Sequence, residues 1–198
     1  MAELISPLAA AVPKRLPLHG ACGVVVQETA LPSLWQIAAW PGADAALDQA
    51  LAALGLRPPG AGRSAQADGI ELLWQGPARY WLLGEGLGAR IDRLHARAGH
   101  GDLALLDLGH SRTCLRLAGP AALEIVRRGV FIDVEGDGFA PGAVVLSAIH
   151  GMGVTLHRRD AELVDLYVYR GFAVSMLAWL EATARPFGFS WQPLPLAR

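Results

Sequence analysis

Cysteine is scarce in this chain of 198 residues, where only Cys22 and Cys114 occur. They stand far apart, with no Cys-x-x-Cys and no histidine at ligand spacing, which argues against a disulfide framework and against a structural zinc site. Both are read as reduced thiols, at least one of them in the core. Charge is scarce as well: 18% of residues are charged against 53% hydrophobic, and 17 basic residues face 18 acidic ones for a net charge of −1. The general attraction that draws a protein to nucleic acid therefore has no source. No apolar run approaches the ~18 to 20 residues that span a bilayer, and Met1-Ala2-Glu3-Leu4-Ile5 lacks the basic flank and apolar stretch of a secretion signal. The expectation is a cytoplasmic protein with neither nucleic acid nor membrane as partner.

What the chain does have is apolar residues, enough for one compact domain or two small halves packed together. The mean hydropathy of +0.32 is high for a domain whose surface must stay polar, and the surplus suggests a face covered by another subunit.

Residues 1–33 hold Pro7, Pro13, Pro17 and Pro32 between short apolar clusters, which reads as an N-terminal arm. Residues 34–198 read as one compact α+β domain. Trp35 to Trp40 is a strand, Pro41-Gly42 a turn, and Leu47, Leu51 and Leu54 recur at helical spacing until Gly55. The stretch from Gly55 to Gly69 reads as a loop. Ile70 to Gln75 and Arg79 to Leu83 are strands joined by Gly76-Pro77, and a helix follows with Leu87, Ile91, Leu94 and Ala98 on one face and Arg90, Arg93 and Arg97 on the other. The second half repeats the order: strand 111–118, turn Gly119-Pro120, helix 121–128, strands at 143–149, 154–157 and 163–169, and a closing helix 174–184. Two pseudo-repeats, about 34–108 and 109–190, imply a duplicated split β-α-β unit with antiparallel sheets, not a doubly wound parallel sheet.

Three motifs raise chemistry. Gly84-Glu85-Gly86-Leu87-Gly88-Ala89 matches the dinucleotide fingerprint between a strand and a helix, with Asp107 near the place of a ribose-binding acid. Against it stand the Glu85 carboxylate in the pyrophosphate loop and the missing second crossover helix. Gly109-His110-Ser111-Arg112-Thr113 resembles a nucleophile elbow, but Thr113 replaces the final glycine and a strand follows where a helix is needed. Strand alternation places His110, Arg112, Cys114 and Arg116 on one face, opposite Thr113, Leu115 and Leu117. That face is suited to a carboxylate or a partner's acidic patch. Taken alone, it suits a solvated strand face better, since exposed arginines are the rule. His95, His100, His150 and His157 have no ligand spacing and read as ordinary polar residues. Of the six tryptophans, Trp40 falls on the strand face opposite Trp35, and some of the six are suited to anchor a protein interface. Trp40, His110, Arg112 and Arg116 are thus the candidate partner-facing residues, and no residue is assigned a catalytic, cofactor-binding or metal role.

Several short strings occur in register: Leu34-Trp35-Gln36-Ile37-Ala38-Ala39-Trp40-Pro41-Gly42, Gly76-Pro77-Ala78-Arg79-Tyr80-Trp81-Leu82-Leu83, Asp107-Leu108-Gly109-His110-Ser111-Arg112-Thr113 and Leu117-Ala118-Gly119-Pro120. They continue through Gly129-Val130-Phe131-Ile132-Asp133, Phe139-Ala140-Pro141-Gly142, Leu156-His157-Arg158, Asp165-Leu166-Tyr167-Val168 and Trp179-Leu180. From about Leu34 to Gly188 this succession resembles the gamma subunit of heterotetrameric sarcosine oxidase. Gly109 departs from it, standing where that family has a serine.

The resemblance implies a fold similar to the folate-binding domain of the glycine-cleavage aminomethyltransferase. It also implies a non-catalytic subunit docked chiefly on an alpha subunit, beside beta and delta subunits. No cofactor is then expected in this chain. FAD, FMN, NAD and tetrahydrofolate are expected with the alpha and beta subunits, and zinc with the delta subunit. The assembled enzyme oxidatively demethylates sarcosine to glycine and passes the one-carbon unit to tetrahydrofolate; related complexes act on other N-methyl amino acids. Two other readings stay open: a free-standing folate-binding relative in which Asp107 or Arg112 contacts the ligand, and an enzyme with a dinucleotide site at Gly84 to Ala89.

Overall fold

The computed structural model describes residues 6–12, 14–16, 22–31, 33–97 and 101–194, the side chains of 95–97 excepted. Pro13, Pro17, Pro32, Ala98, His100 and the Met1–Ile5 start, on which parts of the sequence reading rest, lie outside the described residues, as do the side chains of His95 and Arg97.

In chain order the elements are β1 (Lys14–Leu16), β2 (Val24–Thr29), β3 (Leu34–Ala39), α1 (Asp44–Ala52), β4 (Ser64–Ala67), β5 (Ile70–Gly76), β6 (Arg79–Gly84), α2 (Leu87–Arg97), β7 (Leu103–Asp107), β8 (Arg112–Ala118), α3 (Ala122–Arg127), β9 (Val144–Ile149), β10 (Met152–Asp160), β11 (Leu163–Tyr169), α4 (Ala173–Ala184) and β12 (Phe189–Gln192). The chain divides into two compact units, residues 31–110 and residues 1–30 with 111–198.

The 31–110 unit is a five-stranded sheet ordered β4-β5-β6-β3-β7. Strands β6 and β7 are each antiparallel to β3, so α2 carries the chain between two parallel strands with a third between them, a split β-α-β arrangement. Leu47 and Leu51 of α1 and Leu87, Ile91 and Leu94 of α2 bury against Ile37, Ile70, Leu72 and Leu82 of the sheet. This is the apolar stripe expected of amphipathic helices. Gly55, with φ of 75°, ends the α1 segment in the left-handed region, where a Cβ is penalised.

The stretch read as a loop before Gly69 contains β4, which the sequence reading lacks. Ser64-Ala65-Gln66-Ala67 has weak strand preference of its own. It pairs because Asp68 and Gly69, with φ of 50° and 73°, form a two-residue turn between Ala67 and Ile70. Positive φ at both central residues is the type I′ geometry that matches strand twist.

The 111–198 unit repeats this order and adds to it. Its sheet runs β1-β12-β2-β8-β11-β10-β9. Here β8, β9, β10, β11 and β12 stand where β3, β4, β5, β6 and β7 stand in the other unit, and a second two-residue turn, His150-Gly151 with φ of 49° and 79°, joins β9 to β10. The difference lies at β2. It pairs antiparallel with β8 and parallel with β12, and so sits between two strands whose counterparts pair directly. Residues 24–29, read from sequence as part of an arm, thus form an interior strand, and Val24 and Val26 are wholly buried. The sequence of the strand suits that place: Val24-Val25-Val26 is a β-branched run that follows the prolines instead of containing them. Ala122, Ile125 and Val126 of α3 and Met176, Leu180 and Ala184 of α4 close the core over Leu115, Leu117, Leu156, Val164 and Leu166.

Candidate functional site

Alternation along β8 turns Thr113, Leu115 and Leu117 toward the helices and Arg112, Cys114 and Arg116 to the opposite face. The register continues that second face across the sheet: Tyr169, Tyr167 and Asp165 of β11 lie opposite Arg112, Cys114 and Arg116, and His157 of β10 lies opposite Asp165. It is not a solvated strand face. Asp165 is 1% exposed, and Cys114, Thr155, His157 and Tyr167 are also buried.

Charge converges on Asp165. Its Oδ1 accepts from Arg116 Nε at 2.7 Å and its Oδ2 from Arg116 Nη2 at 2.8 Å. Arg159 Nε donates to the same Oδ2 at 2.6 Å. The Arg116 pair is a two-pronged bond, the strongest ion-pair geometry available to a carboxylate. Burial pushes the Asp165 pKa upward, but the Arg116 hydrogen bonds and the Arg159 charge outweigh it and the net shift is downward. Burial, reinforced by the Arg159 charge, pushes His157 down to about 4, so its imidazole is neutral at pH 7. Beside this cluster the Arg112 guanidinium stacks over the Tyr169 ring, 3.6 Å from its centroid, and donates to Ser111 Oγ at 3.2 Å. The carboxylate that the arginine face was suited to hold comes from this chain's own β11.

The four candidate partner-facing residues do not form one cluster. Arg112 and Arg116 share the β8 face and are engaged as described. Trp40 and His110 belong to the other unit, both exposed, at opposite ends of β7: the Trp40 amide donates to Asp102 O at 3.0 Å, whereas His110 follows Asp107. Trp40 is 59% exposed, and Leu106 on β7 is 54% exposed. The sequence reading missed Asp165, Arg159 and Tyr167. The alternation of 163–169, which sets Asp165, Tyr167 and Tyr169 on one face, was the available signal.

The glycine motif has a structural explanation. Gly84 closes β6 against β5, where a Cβ would lie 2.8 Å from Gly69 O, while a Cβ on Gly88 would meet nothing within 4 Å. Dinucleotide binding needs close backbone approach at a switch point between neighbouring parallel strands; here β3 separates β6 from β7. An open cavity of about 650 Å³ between α1 and α2 is lined by Leu54, Gly55, Asp68, Arg90, Arg93 and Leu94. Arg90 Nη1 lies 3.4 Å from Asp68 O and Arg93 Nε donates to Ala89 O. The Gly109–Thr113 string is a turn running into β8. Among the described residues no group of three or more His, Cys, Asp or Glu is placed to hold a metal ion, and no helix is long and apolar enough to cross a membrane.

No family model matches the chain. Over 173 residues it is 27% identical to the sarcosine oxidase subunit gamma of Corynebacterium sp. strain U-96, spanning 86% of this chain and 84% of that one. Its structure is similar to a chain of the heterotetrameric sarcosine oxidase from Corynebacterium sp. U-96, solved in complex with pyrrole 2-carboxylate. The TM-score is 0.74 at 27% identity, over 83% of this chain and 85% of that one. The fold is also that of the glycine cleavage system aminomethyltransferase T from Bartonella henselae. There the TM-score is 0.61 at 15% identity, over 93% of this chain and 57% of that one. The duplicated α+β architecture and the likeness to a sarcosine oxidase gamma subunit thus agree with the sequence reading.

Proposed function

We infer that this chain is the gamma subunit of a heterotetrameric sarcosine oxidase, a non-catalytic component that supports the alpha subunit. The complex oxidises the N-methyl group of sarcosine, with two electrons passing to dioxygen as hydrogen peroxide. Tetrahydrofolate takes the one-carbon unit and glycine is released. The observation that carries this reading is the likeness to the U-96 gamma subunit in sequence and in fold over more than four-fifths of both chains. The engagement of Arg112 with Tyr169 and of Arg116 with Asp165 supports it, because these groups serve the sheet of this chain. On this reading FAD, FMN, NAD, tetrahydrofolate and zinc belong to the partner subunits, the principal partner is alpha, and the complex is cytoplasmic.

The test is co-purification from the native host. A tagged chain recovered with flavin-containing subunits in equal amounts, and with sarcosine oxidation in the eluate, is the expected outcome. Oxidation of a different N-methyl amino acid by the same assembly would assign the chain to a related dehydrogenase complex. A colourless chain recovered alone, with heat released on titration with tetrahydrofolate, would move it to the free-standing folate-binding class.

A further inference from the structure

The repeated strand order makes β7 and β12 equivalent, yet their outer edges differ. Along β12 lies β1, antiparallel, with Lys14 opposite Trp191 and Leu16 opposite Phe189. Strand β7 has β3 on one side and, among the described residues, no strand on the other. The register fixes which main-chain groups face outward. Leu108 N donates to Leu34 O at 2.8 Å and Trp40 N to Asp102 O at 3.0 Å. Counting inward from these pairs, Ala104 and Leu106 turn their amides to β3, and Leu103, Leu105 and Asp107 turn theirs away. The strand has no Pro, Lys or Arg, the usual means of blunting an edge. No residue of β7 is buried. Other edges are better protected: β4 is four residues of polar or small side chains, and β9 buries both of its ends, Val144 and Ile149.

We propose that the outer edge of β7 receives an extended segment of a partner subunit as an added strand, gripped by Trp40 and Leu106. Trp40, Ala104 and Leu106 share the face opposite the helices, by the pairing of Ala38 with Ala104 and Gln36 with Leu106. Charge defines the occupant. Asp102 and Asp107 stand exposed at the two ends of β7, so the fitting segment is apolar with Lys or Arg at its flanks. The strand on the equivalent edge, β1, itself begins Lys14-Arg15. A second copy of this chain fits less well. Antiparallel self-pairing about Leu105 would set Asp107 of each copy opposite Leu103 of the other, so neither Asp102 nor Asp107 would gain a basic partner.

The proposal rests on the reading of the chain as a subunit of a heteromeric complex, and residue-resolved hydrogen exchange on the purified complex tests it. The amides of Leu103, Leu105 and Asp107 are expected to exchange at least tenfold more slowly in the complex than in the full chain alone. Those of Ala104 and Leu106 are protected in both. Fast exchange of the odd-numbered amides within an intact complex overturns the strand addition and leaves the subunit reading standing. Recovery of the chain with no partner overturns both. Odd-numbered protection that appears in the chain alone and grows with concentration overturns the choice of occupant in favour of a second copy. The Leu106→Lys variant, which alters only an exposed side chain, is expected to lower partner recovery at least tenfold with an unchanged thermal midpoint; undiminished recovery counts against the proposal.

Discussion

The 31–110 and 111–198 units use one order of strands and helices and complete it differently. In the first, the last strand, β7, pairs directly with the first, β3. In the second, β2 enters between the corresponding pair and β1 then covers the outer edge of β12. The second difference concerns the face away from the helices. Strands β8 and β11 meet there through Arg116 and Asp165, whereas β3 and β6 meet through Gln36 and Trp81 and through Ala38 and Arg79. One repeat is thus a seven-stranded sheet with an ion cluster around a buried carboxylate, and the other has five strands with an outer edge that, among the described residues, no strand covers. A duplicated fold leaves each copy free to specialise where edge and outer face are concerned, because the helix-side core alone dictates the repeated topology.

Removing residues 1–30 should break the comparison most severely. The truncated chain loses the strand that bonds both β8 and β12, together with the fully buried Val24 and Val26. The expected result is no cooperative thermal transition from the 111–198 unit, read by circular dichroism; retention of a sharp transition would show that β8 and β12 can close directly as β3 and β7 do.

Next in size is Asp165→Ala. It leaves Arg116 and Arg159, whose side chains are 32% and 25% exposed, without the carboxylate of the 1% exposed Asp165; partial solvation of the arginines sets the expected cost at about 3 kcal/mol, the low end for a buried pair. Urea unfolding measures it. Replacing Arg116, Asp165 and Arg159 together by apolar residues should recover much of the loss, since a well-packed apolar patch has no desolvation penalty.

Acid should act on the same unit in two stages. His157 is held neutral, its pKa lowered from 6.5 to about 4. Its contribution is therefore complete above pH 6.5 and is lost as pH falls from there toward 4, reaching about 3 kcal/mol. The Asp165 pKa is also lowered, so its contribution persists above the ordinary carboxylate range and is lost only at still lower pH. His157→Gln should abolish the first stage and keep the second, as seen in stability measured between pH 7 and pH 3. A first stage that survives this substitution would place its origin in another group.

Much of this was legible beforehand. The helices carried clear 3.6-residue stripes at Leu47, Leu51 and at Leu87, Ile91, Leu94, and the longer strands alternated cleanly. Several short strands were not, β1, β2, β4 and β12 among them. Strand β4 depends on a turn, and its signal was the Asp68-Gly69 pair, not its own composition. Strand β2 depends on a gap between β8 and β12 that only the assembled sheet creates, and the surrounding prolines masked Val24-Val25-Val26. Of the polar face, Arg112 and Arg116 were visible through alternation. Their partners Asp165 and Tyr169 lie about 50 residues further on, and antiparallel register between distant strands is not encoded in local spacing.

The smallest effect sharpens the likeness between the units. Both use a two-residue turn at the same place, Asp68-Gly69 before β5 and His150-Gly151 before β10. His150 holds φ of 49° and Asp68 φ of 50°, a region that Asn and Asp adopt more readily than most residues because their short side chains bond locally to the backbone. A type I′ turn favours Asn-Gly most strongly. His150 is exposed, so His150→Asn changes the turn preference with little packing lost. It should therefore stabilise the 111–198 unit by up to about 0.5 kcal/mol, the usual scale of an exposed substitution. Asp68→Asn should change the other unit by less, because its first turn position is already suited. Equal responses at the two sites would mean that the turns, though alike in dihedral angles, carry different loads in holding β4 and β9 to their sheets.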